Sequence, residues 1–159
     1  MKLYIANRVA SLKGNTDVLY ENGATAFSVE GKVVSLHRKK RIYDAQGNLL
    51  YLVKNRLINL FSHKAFIEDA QGNRICAVKD KFLNVKQEYS SSGSPQYKTE
   101  GGFFGREVRL LRDGQPIGMI RRNVGVFADR YELETDAPEV AFLTAFVIAI
   151  DNIRDDRKR

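Results

Sequence analysis

The sequence contains little of the chemistry on which most enzymes and metalloproteins depend. Among its 159 residues there are one cysteine, two histidines and no tryptophan. A single cysteine excludes an internal disulfide framework, and with two histidines it supplies too few ligands for a Cys/His zinc cluster. The chain also lacks a G-x-S-x-G elbow, a glycine-rich phosphate loop and an H-E-x-x-H motif. We therefore predict no metal site, no cofactor and no enzymatic activity.

Long hydrophobic segments are missing as well. The longest apolar run, Val140 to Ile150, is 11 residues interrupted only by Thr144. As a helix it would be about 16 Å long, against about 30 Å of bilayer hydrocarbon. The first residues, Met1 to Arg8, carry no apolar signal region. We therefore expect a cytoplasmic protein without a transmembrane span, and peripheral contact with a membrane stays open.

Positive charge exceeds negative charge along the chain. Lysine and arginine number 26 and aspartate and glutamate 19, so the formal net charge is +7. This charge attracts nucleic acid, anionic lipid or an acidic partner without deciding among them. The length, with 43% apolar residues, suits a single domain over residues 1–159 with its own core.

A repeated turn is the most informative pattern in the sequence. The pentapeptide Asp-Ala-Gln-Gly-Asn occurs at 44–48 and again at 69–73. Looser copies contain Asn22-Gly23 and Asp113-Gly114. Glycine permits positive φ in a tight hairpin, and Asp and Asn bond locally to the backbone. The alternation of Thr25 to Val29 between two turns is a strand period, so we predict four repeated β units.

The repeats predict a large antiparallel sheet. We assign three strands to each unit, with 33–36, 57–61 and 82–85 as the third strands. Four such units give about twelve strands, and a sheet of that size usually curls or closes to remove its edges. The Ser/Gly-rich segment 89–102 interrupts the repeats and is predicted as a mobile loop with room for one short strand.

The apolar run near the C-terminus predicts a helix over 137–153. Asp136 can cap its start, and Glu139 completes a capping box. The helix is apolar on every face until Asp151, whereas a helix lying on a sheet keeps one polar face. We therefore predict a β-barrel closed around this helix, with 154–159 as a charged tail in water. Association of two chains through the helix is the alternative.

In their order along the chain, these features resemble the LURP-one-related family, small bacterial relatives of the tubby C-terminal domain and the phospholipid scramblases. The resemblance covers residues 2–156. It implies a twelve-stranded barrel around a central helix. Its implications for function are weaker: tubby domains bind phosphoinositide head groups, and plant members are linked to defence. The bacterial members have no settled activity. No site residue is carried over from it. It rests on the Asp-x-x-Gly-Asn turns, the Val-x-x-Lys/Arg strand ends, Gly114-Gln115-Pro116-Ile117 followed by Arg121-Arg122, and the helix running into Ile150-Asp151.

The strongest charge run, His37 to Arg41, supplies the candidate site. A meander with three strands per unit places it at the same end as the turns at Gly23, 54–56 and 70–73 and the Ser/Gly loop after Tyr89. We predict that this rim binds phosphate-bearing ligands or acidic lipid head groups, at about 1 kcal/mol per cation. A solvated charge face is the alternative. The candidate anion-binding residues are Arg38, Lys39, Lys40, Arg41, Lys54 and Arg56. The turns at 31–32, 44–48, 62–64 and 79–81 are predicted at the opposite end.

Two other function classes stay open. An enzyme or small-ligand binder could use the barrel mouth beside 89–102, which requires a concave site with convergent polar groups. Nucleic-acid binding requires aromatics among the cations or an exposed helix. We interpret Ser62-His63 as a turn, Cys76 as a packed thiol, and Asp44 and Asp69 as turn residues rather than calcium ligands. A non-enzymatic binding or scaffold module is therefore favoured.

Overall fold

A computed structural model of the chain describes residues 1–6, 15–31, 36–58, 62–81, 87–101, 107–124 and 129–157. These residues form twelve β-strands followed by one α-helix. The elements are β1 (Lys2–Ala6), β2 (Thr16–Tyr20), β3 (Thr25–Gly31), β4 (Lys40–Tyr43), β5 (Leu49–Asn55), β6 (Lys64–Asp69), β7 (Arg74–Asp80), β8 (Tyr89–Ser91), β9 (Tyr97–Glu100), β10 (Glu107–Arg112), β11 (Gln115–Val124), β12 (Asp129–Thr135) and α1 (Val140–Arg157).

The twelve strands form one closed antiparallel barrel. Each strand pairs with its neighbours in chain order, and β1 pairs with β12 to close the sheet. Closure leaves no edge strand that could pair with another chain. The predicted twelve-stranded closed barrel is therefore confirmed.

The strands are distributed among the repeats differently from the prediction. Leu36, Leu57 and Ile58, assigned to third strands, lie outside the sheet. The remaining positions of those predicted strands, 33–35, 59–61 and 82–85, lie outside the described residues. Segment 89–102, predicted as a loop with one short strand, contains both β8 and β9. Each repeat thus contributes a two-stranded hairpin to the barrel, and the described residues of its third segment are not paired in the sheet.

The repeated turns are closed by their own aspartates. Asp44 Oδ1 accepts hydrogen bonds from the backbone N of Gln46 and Asn48 at 2.9 and 2.8 Å. The same contacts recur 25 residues later around Asp69. Hydrogen bonds from the Asn48 side chain and backbone lower the pKa of the Asp44 carboxyl. The interpretation of Asp44 and Asp69 as turn residues is confirmed, with Gly47 at φ +83°.

Helix α1 lies inside the barrel. The consecutive side chains of Leu143, Thr144, Ala145 and Phe146 point to different sides of the helix, and all are fully buried. The apolar residues among them form one hydrophobic core with inward-facing residues of the strands. A helix lying on a sheet would leave one face in water, so the predicted enclosure is confirmed. None of the described helical residues makes a segment long and apolar enough to cross a membrane.

The helix begins three residues later than predicted. Its first turn is closed by the Glu139 carbonyl, which accepts a hydrogen bond from Leu143 N at 3.0 Å. Asp136 is not the cap, because its carboxylate lies 3.1 Å from the amino group of Met1. The Glu139 carboxylate is instead held by the Tyr97 hydroxyl and by Arg112. The start of α1 is therefore fastened to the barrel wall.

The helix also ends later than predicted. It continues to Arg157, whereas the prediction ended it at residue 153 and placed 154–159 in a charged tail. Asp151 and Arg154 are only 4% and 8% exposed, so the helix is still enclosed at both residues and the charged tail in water does not begin at residue 154. The physical reason is that each charge has a polar partner in the barrel, Lys40 for Asp151 and Gln87 for Arg154. Residues 158–159 lie outside the described part of the chain.

Candidate functional site

Strand direction divides the connections between the two ends of the barrel. Because neighbouring strands are antiparallel, connections after even-numbered strands lie at one end and those after odd-numbered strands at the other. We call the first end the hairpin end; it contains 21–24, 44–48, 70–73, 92–96 and 113–114. We call the second the loop end; its described parts are 15, 36–39, 56–58, 62–63, 81, 87–88, 101 and the last turns of α1.

All six candidate cations lie at the loop end. Four of them immediately precede or begin β4, and the other two lie at the end of β5 or just after it. The two segments are joined by a hydrogen bond from Asn55 N to the His37 carbonyl at 2.7 Å. The strand pair Lys40–Val53 lies directly beside this bond. The residues that the sequence grouped are therefore together in the fold.

Other parts of the predicted rim lie elsewhere. The turns at Gly23 and 70–73 and the Ser/Gly loop 92–96 are at the hairpin end, opposite the cations. Residues 62–64 and 79–81, predicted at the far end, share the loop end with them. The prediction was wrong for these segments because two strands per repeat, rather than three, leave successive repeats running in the same direction.

Three of the six cations are bound by carboxylates, two of which come from α1. Binding of this kind neutralises the cation and removes it from contact with an outside anion. It also fastens the start of β4 to the last turns of the helix. The pairs are Arg38–Asp155 (3.1 Å), Lys40–Asp151 (3.4 Å) and Lys54–Glu68.

A layer of polar side chains completes the loop end around α1. Asn152 Nδ2 donates to the Arg38 carbonyl at 3.0 Å, and Asn55 Nδ2 donates to the Asn152 carbonyl at 3.1 Å. Asn55, Asp80 and Asn152 belong to no motif recognised in the sequence. A usable signal was the strand alternation, because Asn55 lies two residues after the buried Val53 and so faces inward. Further pairs in this layer are His63–Asp156 (3.2 Å), Arg157–Asp80 (2.5 Å) and Arg154–Gln87 (2.9 Å).

Asp151 is a buried carboxylate within this layer. Burial raises the pKa of its carboxyl, the charge of Asp155 adds to the increase, and the charge of Lys40 opposes it. A folded-state pKa above that of the unfolded chain means that the folded protein binds the proton more readily. Stability from this group is therefore present at low pH and is lost as pH rises through the folded pKa.

Replacement of the Asp151 carboxylate tests this direction of the pH dependence of stability. We expect Asp151→Asn to be at least as stable as the unchanged chain at neutral pH, because the amide has no charge to desolvate. The advantage should shrink as pH falls towards the ordinary aspartate pKa of about 3.9, where Asp151 is protonated too. Thermal unfolding of both proteins over a pH series measures it. Asp136→Asn, at a carboxylate whose side chain is 99% exposed, is the control; a clear loss of stability in Asp151→Asn at neutral pH would contradict the sign.

Lys39 and Arg41 differ from the paired cations. Both side chains are exposed, and within the described part of the chain neither forms an ion pair. They flank Lys40, whose side chain reaches the helix, so alternation along the strand turns them outward. Arg41 lies opposite Glu30 in the sheet. Arg56 is exposed as well, but it is engaged with a neighbouring group, and its backbone N donates to Lys64 O at 2.9 Å.

The hairpin end holds a cavity of about 130 Å³. Burial raises the pKa of the Cys76 thiol in its wall to about 11, so at neutral pH this group is not the thiolate that acts as a nucleophile. The Ser91 and Ser92 hydroxyls accept hydrogen bonds from the backbone N of Tyr97 and Ala77. The described wall thus lacks the convergent polar groups that an enzyme site requires. The lining residues are Ile75, Cys76, Ser91, Ser92, Ser94, Pro95, Tyr97 and Phe142.

The described residues contain no arrangement of side chains suited to a metal ion. No group of three or more His, Cys, Asp or Glu side chains there could hold an ion. The aspartates at the end of α1 are engaged instead by side chains of the same layer, namely Arg38, Lys40 and His63. The feature of the loop end that could bind an outside ligand is therefore its exposed positive charge.

Comparison with known proteins identifies a family. The family model described as LURP-one-related matches residues 1–151, which span all twelve strands and most of the apolar part of α1. No curated protein and no solved structure gives a significant match.

Proposed function

Because the chain belongs to the LURP-one-related family, we propose that it is a non-enzymatic module that binds phosphate-bearing anions at the loop end of its barrel. The family and the closed barrel agree with a binding module and leave the ligand open. The inference that the ligand is an anion rests on two exposed cations, Lys39 and Arg41, which lie next to cations that are already neutralised. In this proposal the protein is cytoplasmic and meets a membrane only as a peripheral protein.

The surroundings of the two cations favour phosphate recognition. An arginine guanidinium binds phosphate through two parallel hydrogen bonds, and a lysine ammonium adds a mobile point charge. The backbone that carries them is held in place, because Arg38 and Lys40 are bound to the helix. A site positioned in advance loses less entropy on binding. The carboxylate opposite Arg41 in the sheet is Glu30, which also interacts with the Tyr43 hydroxyl.

The test is reversal of the two exposed charges. We expect Lys39→Glu/Arg41→Glu to weaken binding to vesicles containing anionic phospholipid, and to soluble inositol hexakisphosphate, by at least tenfold. Each cation near an anionic surface contributes about 1 kcal/mol, and reversal replaces that attraction by repulsion. Vesicle flotation and titration calorimetry measure the two affinities.

A matched variant controls for net charge. Arg74→Glu/Lys98→Glu reverses two positive charges near the hairpin end, and it should retain the affinity of the unchanged chain. Equal binding by both double variants would overturn the assignment of the site to the loop end. A salt-dependent gel shift tests the nucleic-acid alternative; tighter binding to nucleic acid than to either phosphate ligand would replace the proposal.

A further inference from the structure

Aliphatic side chains exposed to water are concentrated at the loop end. Leu36 is 90% exposed, Ile58 65% and Leu57 55%. Among the described large hydrophobic side chains, only Met1 is exposed to a similar degree, at 56%. Isolated exposed aliphatic residues are ordinary, whereas several on one surface mark a place of contact. We refer to Leu36, Leu57 and Ile58 as the aliphatic tips.

The aliphatic tips belong to two neighbouring segments that are held together. The residue after Leu36, His37, accepts the 2.7 Å hydrogen bond from Asn55 N, two residues before Leu57. Arg56, directly before Leu57, is bonded through its backbone N to Lys64 at the start of β6. Because the residues beside them are tied to the sheet and to each other, the two segments that carry the tips lie side by side at the loop end.

The exposed cations lie among the aliphatic tips. Arg56 directly precedes Leu57, and Lys39 follows Leu36 by three residues. A small phosphate compound would use the cations and leave the aliphatic groups in water. A bilayer presents phosphates above hydrocarbon, so it can receive both kinds of side chain at once.

Negative charge at the loop end does not oppose this contact. All three aspartates of the last turns of α1 are engaged inside the polar layer. Two of them, Asp151 and Asp155, are paired with cations before a membrane approaches. The pairs are Asp151 with Lys40, Asp155 with Arg38, and Asp156 with His63.

We propose that the loop end docks on an anionic lipid bilayer, with Leu36, Leu57 and Ile58 inserted below the head groups. Lys39 and Arg41 then contact lipid phosphates. This inference rests on the proposed function and identifies the source of the phosphate as a membrane. It also orients the barrel, because the C-terminal end of α1 faces the bilayer and the repeated turns face away.

A variant without the aliphatic tips separates insertion from anion binding. We expect Leu36→Ser/Leu57→Ser/Ile58→Ser to bind anionic vesicles at least a hundredfold more weakly, because each buried aliphatic side chain contributes roughly tenfold in affinity. Its affinity for inositol hexakisphosphate should be unchanged. Ile75→Ser, at an exposed aliphatic residue of the hairpin end, should bind vesicles like the unchanged chain. Thermal unfolding confirms that each variant is folded.

Fluorescence reports insertion directly. The chain contains no tryptophan, so Leu57→Trp carries a single indole. On addition of anionic vesicles its emission should shift to the blue and be quenched by brominated acyl chains. Ile75→Trp should show neither change, because the hairpin end faces away from the bilayer.

The outcomes distinguish this inference from the proposed function. Loss of vesicle binding in the serine variant, with retained inositol hexakisphosphate binding and a quenched indole at 57, supports docking. Unchanged vesicle affinity in the serine variant overturns insertion, and if the charge-reversed variant still loses binding the proposed function stands. Conversion of a dimer to a monomer by the serine substitutions, seen by analytical ultracentrifugation, would overturn insertion in favour of self-association.

Discussion

Phe146→Ala is expected to lower the free energy of unfolding by about 3–5 kcal/mol, the range measured for aromatic truncation in cores. Phe146 is fully buried in the middle of α1, and its ring lies 6.3 Å from that of Tyr97 in the barrel wall. Closed sheets surround the helix, so the wall cannot easily collapse into the space left by the ring. Because a domain of this kind has only about 5–15 kcal/mol of stability, the variant should be close to unfolding at 37 °C.

Urea denaturation followed by circular dichroism measures the loss. Leu36→Ala is the matched control, because it also truncates a large apolar side chain, in this case one that is 90% exposed. It should change stability by less than about 0.5 kcal/mol. Equal effects of the two truncations would show that α1 is not the core of the barrel, and the placement of the loop end would fail with it.

Gly118→Ala is expected to lower the free energy of unfolding by about 3 kcal/mol, near the upper end of the usual cost of overpacking. Gly118 faces Thr135 where β11 pairs with β12. A Cβ at this position would overlap the backbone oxygen of Glu134 and lie 3.0 Å from Thr135 Cβ. The backbone of β12 cannot move away without breaking the ladder, so the strain stays in the folded state.

Gly114→Ala separates this clash from backbone strain. Gly114 has φ +82° in an open turn, where a Cβ meets no atom within 4 Å. An alanine there should cost about 1–2 kcal/mol, the usual cost of a left-handed conformation for a residue with a side chain. Chemical denaturation of the two variants compares them. A smaller loss at 118 than at 114 would contradict the close approach of β11 and β12.

The charge run shows why a site of this kind is only partly visible in a sequence. The cluster at 38–41 was correctly grouped with Lys54 and Arg56, because it depends on strands that are adjacent along the chain. Its available charge was overestimated, because Arg38 and Lys40 meet carboxylates more than 100 residues away. Such pairs depend on how the helix sits inside the barrel, and no local pattern records that.

The aliphatic tips show the converse error. Leu36, Leu57 and Ile58 were assigned to strands because apolar runs between polar turns are typical of strands. In the fold they lie outside the sheet and are exposed. Whether an apolar run is paired or exposed depends on the neighbouring strands that close the barrel around it, which is a property of the whole sheet.

The sequence by itself determined the local structure and the class of fold. Aspartate and glycine at the repeated turns close hairpins by short-range bonds, and a helix apolar on every side can be stable only when it is surrounded. Tertiary structure alone decided which connections share an end of the barrel, which cations are neutralised and which aliphatic groups face water. The physical reason is that these properties depend on strand parity and on contacts between distant residues, which exist only once the sheet has closed.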